Sequence, residues 1–203
     1  MMHLRIFFVA ALCSVAVSVF AQSKPPAPAT FASAIDAEIT NLEKQFVDAA
    51  EAMPADKFDS SPENFNLPGS EFQGVRTFGQ QVKHVAADNF AIWAPLTGKP
   101  EPAGLNAPKG PVAMKSRDEV LKFLKDSLAY SHQAVRGLTA ENALGLVEFR
   151  GSKVTRISLV VLALTHISDH YGQMAEYLRM NGIVPPASNM KGMQMQMTKP
   201  SGK

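Results

Sequence analysis

Cysteine is almost missing from this sequence: Cys13 is the only one in 203 residues. A lone thiol closes no internal disulfide, so the fold must be held by its core or by a bound ion. Net charge is nearly missing too. The 20 Lys and Arg stand against 18 Asp and Glu, which leaves +2 with histidine neutral. That balance has no particular attraction for a polyanion, and no nucleic-acid partner is expected. No β-rich alternating run of strand length stands out. What is present is 46% hydrophobic and 19% charged residues. This suits a globular core rather than a disordered chain, and the length suits one domain.

Residues 1–21 read as a signal peptide. Arg5 supplies a short positive region, Ile6 to Phe20 is almost wholly apolar, and Val19-Phe20-Ala21 offers small residues at the −3 and −1 sites before Gln22. The apolar run of about 15 residues is short of the roughly 20 that a membrane span needs; a retained N-terminal anchor is the competing reading. Leu12 precedes Cys13 where a lipidation signal wants a small residue. The expectation is an exported protein, periplasmic or extracellular, with no stable membrane span after cleavage. Cleavage would also remove Arg5, His3 and the only cysteine. Any metal site must then be built from histidine and carboxylate.

Residues 22–30 are proline-rich and read as a flexible leader. Four helical segments follow. The first, about 31–53, repeats Phe31, Ile35, Ile39, Leu42, Phe46 and Ala49 at three- and four-residue steps, with Thr30 to cap it and Pro54 to end it. Residues 54–73 form a loop long enough to be a lid or cover. The second, about 74–96, has Phe78, Val82, Val85, Ile92 and Leu96 as its stripe, and Pro95 and Gly98 mark its end. A connector with four prolines and three glycines spans 98–111. Ser116 and Glu119 form a capping box for the third helix, about 116–136. A loop with at most one helical turn covers 137–152. The fourth helix, about 155–181, is the longest, with Gly182 and Pro185-Pro186 after it. The expected class is all-α, an antiparallel four-helix bundle over residues 31–187. The tail 188–203 is polar apart from methionines. It reads as disordered, or more sharply as a thioether site for monovalent copper.

Chemistry concentrates in the fourth helix. His166 and His170 are four residues apart and share a face. They lie on a stripe of Leu159, Ala163, His166, His170, Gln173, Tyr177 and Met180, apolar at its ends and polar in its middle. The two imidazoles should therefore point inward, where each needs a partner. One metal ion at about 2.0–2.1 Å satisfies both; two interior histidines bonded to polar neighbours or water is the plainer alternative. A third ligand must come from another helix. His84, mid-length on the second helix, is the natural candidate, and His132, near the end of the third, is a weaker one.

These residues also carry a resemblance. Val82-Lys83-His84-Val85-Ala86-Ala87-Asp88-Asn89-Phe90, with Trp93 and Leu96-Thr97-Gly98 behind it, resembles the second helix of the DinB-like family. His166-x-x-x-His170-Tyr171-Gly172-Gln173, followed by Tyr177-Leu178-Arg179-Met180-Asn181-Gly182 and Pro185-Pro186, resembles that family's last core helix. The resemblance covers roughly residues 31–187. It implies a four-helix bundle with a three-histidine site for a divalent transition metal (zinc, nickel or iron), its ligands falling at His84, His166 and His170. Some relatives are transferases or isomerases that use low-molecular-weight thiols, mostly inside cells, and many have no known reaction. Asp169 stands where many relatives carry another histidine.

Three neutral imidazoles leave positions open on a metal, the pattern of a catalytic rather than a closed structural site. Asp88, four residues past His84, is the candidate to orient an imidazole, act as catalytic base or add a fourth ligand; a solvated helix residue is the alternative. Gln173 and Tyr177 are candidates to bind a small-molecule substrate, or to satisfy polarity inside the bundle. The functional readings are a metal-dependent hydrolase or transferase, a non-catalytic metal-binding or stress-related protein, and a bundle without metal. A homodimer is compatible with all three.

Overall fold

Each long helix begins at a hydroxyl side chain that takes up its free backbone N–H groups. In the computed structural model, which describes residues 29–106 and 109–188, Thr30 caps α1 (Phe31–Ala52), Thr77 caps α2 (Phe78–Thr97), Ser116 caps α3 (Arg117–Val135) and Thr155 caps α4 (Arg156–Met180). The first three are closed reciprocally by Ser33, Gln80 and Glu119. The expected start of α2 near Gly74 is displaced to Phe78, because the Thr77–Gln80 box, not the glycine, sets it. Gly98 and Gly182, both at positive φ, follow the ends of α2 and α4.

The all-α expectation needs one correction. Residues expected to be loop form a hairpin of β1 (Leu146–Phe149) and β2 (Ser152–Thr155), paired from Leu146 with Thr155 to Phe149 with Ser152. Arg150 and Gly151 make its two-residue turn at φ 48° and 79°. Left-handed values at both positions match the twist of the flanking strands. The chain is thus mostly helical, with a small two-stranded sheet.

The long loop 54–73 is tied to the start of α2. It holds two 3-10 turns, Ala55–Lys57 and Pro62–Phe65. It docks under α2, where the carbonyls of Ser60 and Phe58 accept from the N–H groups of Phe78 and Gly79 at 2.8 and 2.7 Å. The expected signal peptide, most of the expected leader and the expected tail beyond Ser188 lie outside the described residues. Among those described, no helix is long and apolar enough to cross a membrane.

Packing explains why the site sits where it does. α2 packs on α3 and α4, and α1 packs on the same two helices. The apolar core falls into two clusters. One holds Phe46, Phe78, Val82, Leu124, Met174 and Leu178; the other holds Ile39, Ile92, Trp93, Leu138, Leu159 and Ala163. Among these apolar positions along the helices lie buried polar side chains: His84, Asp88 and Asn89 on α2, Ser127 and Ser131 on α3, and His170 on α4. Such groups are stable inside a core only when they are bonded to something. On the α3 side they bond to each other. Asn89 donates to the Ser127 carbonyl at 2.7 Å and accepts from Trp93 Nε1 at 2.9 Å. The α4 side is the candidate site.

Candidate metal centre

The middle of α2 brings His84 to the middle of α4, where the four-residue step places His166 and His170 on one face. Nε2 of His84 stands 3.1 Å from Nε2 of His170 and 3.1 Å from Nε2 of His166. The rings meet edge-on at interplanar angles of 75–79°. One ligand atom from each residue lies within 4.8 Å of the others. His84 and His170 are buried, with 5% and 6% exposure, and His166 is half-buried.

Hydrogen bonding alone does not account for this arrangement. Nε2 of His84 offers either one proton or one lone pair, so it cannot make both 3.1 Å contacts as full hydrogen bonds. A cation facing the three lone pairs would satisfy all of them together. The spacing fits: two nitrogens at roughly 2.0–2.1 Å from one ion, at angles of about 95–110°, stand about 3.0–3.4 Å apart. Three imidazoles suit zinc, nickel, copper or iron alike. Nδ1 of His170 is buried without a hydrogen-bond partner, so the outer support of this ligand is incomplete.

The electrostatics keep the rings ready to ligate. Burial lowers the His166 pKa below 6.5, helped by His84 and Arg150 and opposed by Asp88 and Asp169. Burial, then the neighbouring His166 and His84, push His170 down to about 4, with Arg76 adding slightly and Asp169 opposing. At neutral pH these two imidazoles are unprotonated, the form that binds a metal.

Asp88 lies beside the three histidines. Its Oδ2 is 3.7 Å from Nε2 of His166, and its Oδ1 accepts from Arg150 at 2.9 Å. Asp88 is buried, with 5% exposure, so the solvated alternative is excluded. Gln173 accepts from Nε2 of Gln81 at 2.7 Å and donates to Asp169 at 2.9 Å. The Tyr177 hydroxyl donates to the Arg76 carbonyl at 3.0 Å. Both line a pocket whose walls also include Gln81, three residues before His84, and none of the three histidines. His132 is elsewhere, bridging Asp36 and Glu43 of α1 at 2.7 and 2.9 Å.

Sequence reasoning missed Arg150 and Gln81. Arg150 sits at the tip of a hairpin that was not expected, and only its Arg-Gly turn between short β-branched runs signalled it. Gln81 was legible in principle, three residues before His84 on the same face of α2.

Residues 38–174 match the sequence profile of the DinB superfamily. Two solved structures are similar in fold. A DinB-like protein from Bacillus cereus aligns with TM-score 0.62 and 14% identity over 77% of this chain and 96% of its own. A DinB-like protein from Bacillus subtilis aligns with TM-score 0.56 and 18% identity over 73% of this chain and 92% of its own. At these identities the likeness is one of fold alone. No curated protein matches the chain.

Proposed function

The chain belongs to the DinB superfamily, and on that premise we propose that it is an exported antiparallel four-helix bundle that holds a divalent transition metal through His84, His166 and His170 and uses it as a hydrolase or transferase. The observation that carries the reading is the meeting of three Nε2 atoms, with two contacts of 3.1 Å, at one point between two helices. A metal held there supplies a Lewis acid with open positions.

The chain's own residues take definite roles around that point. The three imidazoles present neutral nitrogens. Asp88, fixed by Arg150 through Oδ1, turns Oδ2 toward His166. There it faces the ligating nitrogen itself, where it can add a fourth ligand or receive a proton from a substrate. Gln173 and Tyr177 line the pocket where a substrate would be held. Gln81 and Gln173, each three residues from a histidine of the cluster, line this pocket of about 740 Å³, and room there for a small molecule favours the enzymatic reading.

The test is elemental analysis of protein purified from its own compartment, beside a His84→Ala/His166→Ala variant. The expected result is about one divalent metal per chain in the wild type and almost none in the variant. Equal metal content in the two would overturn the assignment.

A further inference from the structure

The pocket lined by Gln81, Gln173 and Tyr177 has a charge pattern that the metal does not explain. Its walls include Arg76, Lys83 and Lys109 and no carboxylate. Among the described residues, none of the ion pairs involves these three. Lys83 directs its ammonium to the Met114 carbonyl at 3.3 Å, so Arg76 and Lys109 carry the uncommitted charge. The placement of Lys109 is built rather than incidental. The next residue, Gly110, has φ 76° and lies so close to α2 that an added Cβ would run into the Lys83 side chain and come within 2.9 Å of its carbonyl.

The inner wall supplies a second feature. Gln81 is 4% exposed, lines the pocket and has a buried Oε1 with no hydrogen-bond partner. Its orientation is fixed from behind. The Asp169 carboxylate accepts from Nε2 of Gln173, which leaves Oε1 of Gln173 to accept from Nε2 of Gln81. The Tyr177 hydroxyl lies within reach of the Gln81 side chain, but its one proton goes to the Arg76 carbonyl at 3.0 Å. Oε1 of Gln81 is therefore an acceptor waiting for a donor, and leaving it so in a core is costly.

We propose that this pocket binds a small organic anion, a carboxylate or phosphate, with its charge held by Arg76 and Lys109 and a hydroxyl or amine donating to Oε1 of Gln81. Gln81 and Gln173 are each three residues from a histidine of the cluster, so a ligand anchored there reaches toward the centre. The inference deepens the metal-dependent reading and rests on it only for the ligand's reacting end.

Chemical-shift titrations with acetate, glycolate and inorganic phosphate test it, on metal-loaded protein and on chelator-treated protein. At least one of acetate and phosphate is expected to bind saturably to the wild type, and the tighter of the two identifies the headgroup. The Arg76→Gln/Lys109→Gln variant is expected to bind it at least tenfold more weakly while keeping its metal content. Lys109 is exposed, so Lys109→Gln alone should fold normally and still weaken binding about threefold. Glycolate should bind more tightly than acetate in the wild type and equally in Gln81→Met. No saturable binding of any probe, unchanged affinity in the double variant, or equal glycolate and acetate affinities in the wild type would overturn the proposal. Anion binding in a protein that takes up no metal would sink the metal reading and leave this one standing.

Discussion

Replacing Asn89 by Ala should destabilise the protein through a group that touches no ligand. Asn89 is 6% exposed and Trp93 is 1% exposed. The Trp93 Nε1–H donates to Oδ1 of Asn89 at 2.9 Å, and Nδ2 of Asn89 donates to the Ser127 carbonyl at 2.7 Å. Truncation leaves the indole N–H buried without an acceptor, which costs about 1–3 kcal/mol. The Ser127 carbonyl keeps its α3 partner and loses only a second bond, worth about 0.5–1.5 kcal/mol. The total of about 1.5–4.5 kcal/mol corresponds to a fall in Tm of roughly 3–18 °C for a domain of this size. Far-UV circular dichroism against temperature and urea measures it, and the fluorescence of Trp93, the chain's only tryptophan, reports the change around the ring. In a Trp93→Phe background the orphaned donor no longer exists, so the same truncation should cost about 1–2 kcal/mol less. A fall below about 2 °C with an unchanged urea slope, or strictly additive costs in the double variant, would refute the reasoning.

Three further outcomes follow from the same structure. Divalent metal at 100 times its Kd should stabilise the fold by about 2.7 kcal/mol, raising Tm by roughly 5–10 °C; differential scanning calorimetry with and without chelator should show the rise in the wild type and none in His84→Ala. His132 stands between Asp36 and Glu43; burial lowers its pKa, but the two carboxylates outweigh burial and hold it above 6.5. Its contribution is therefore full below pH 6.5 and lost as pH rises through the raised value, so the Tm gap between wild type and His132→Gln should narrow from pH 6 to pH 8. A gap that widens over that range would exclude the mechanism. Finally, a Cβ on Gly79 would lie 2.7 Å from Cδ1 of Phe58 and 3.2 Å from its carbonyl oxygen, so Gly79→Ala should cost about 1–3 kcal/mol in urea unfolding.

Helical periodicity and end signals placed four elements closely, because both are local. Thr30, Ser116 and Gly182 act within one turn of the boundaries they set. α2 was extended too far toward Gly74 because Thr77 with Gln80 is a weaker capping box by type than Ser with Glu. The hairpin was missed because its two strands are four residues each and show no clean alternation. Their register comes from the Arg150–Gly151 turn, and Arg is an unusual residue at positive φ. At the site, the i,i+4 spacing fixed His166 and His170 on one face. The meeting with His84 is a tertiary fact, and spacing alone only left room for it. Arg150 illustrates the limit, since 62 residues separate it from Asp88.

The buried polar side chains of α2 divide between two neighbours with opposite consequences. Toward α3, Asn89 finds protein partners within 3.0 Å, and that face is saturated. Toward α4, His84 faces two imidazoles whose nitrogens compete for it. Nδ1 of His170 and Oε1 of Gln81 have no partner at all. Packing these positions with leucine would be cheaper for stability alone, because satisfied polar groups add little and unsatisfied ones subtract. Among the described residues the deficit falls on the α4 side of α2, while on the α3 side Asn89 is bonded through both its amide atoms. That asymmetry is what the two proposals account for: a metal ion would satisfy the imidazoles, and a ligand with its own donor would satisfy Gln81.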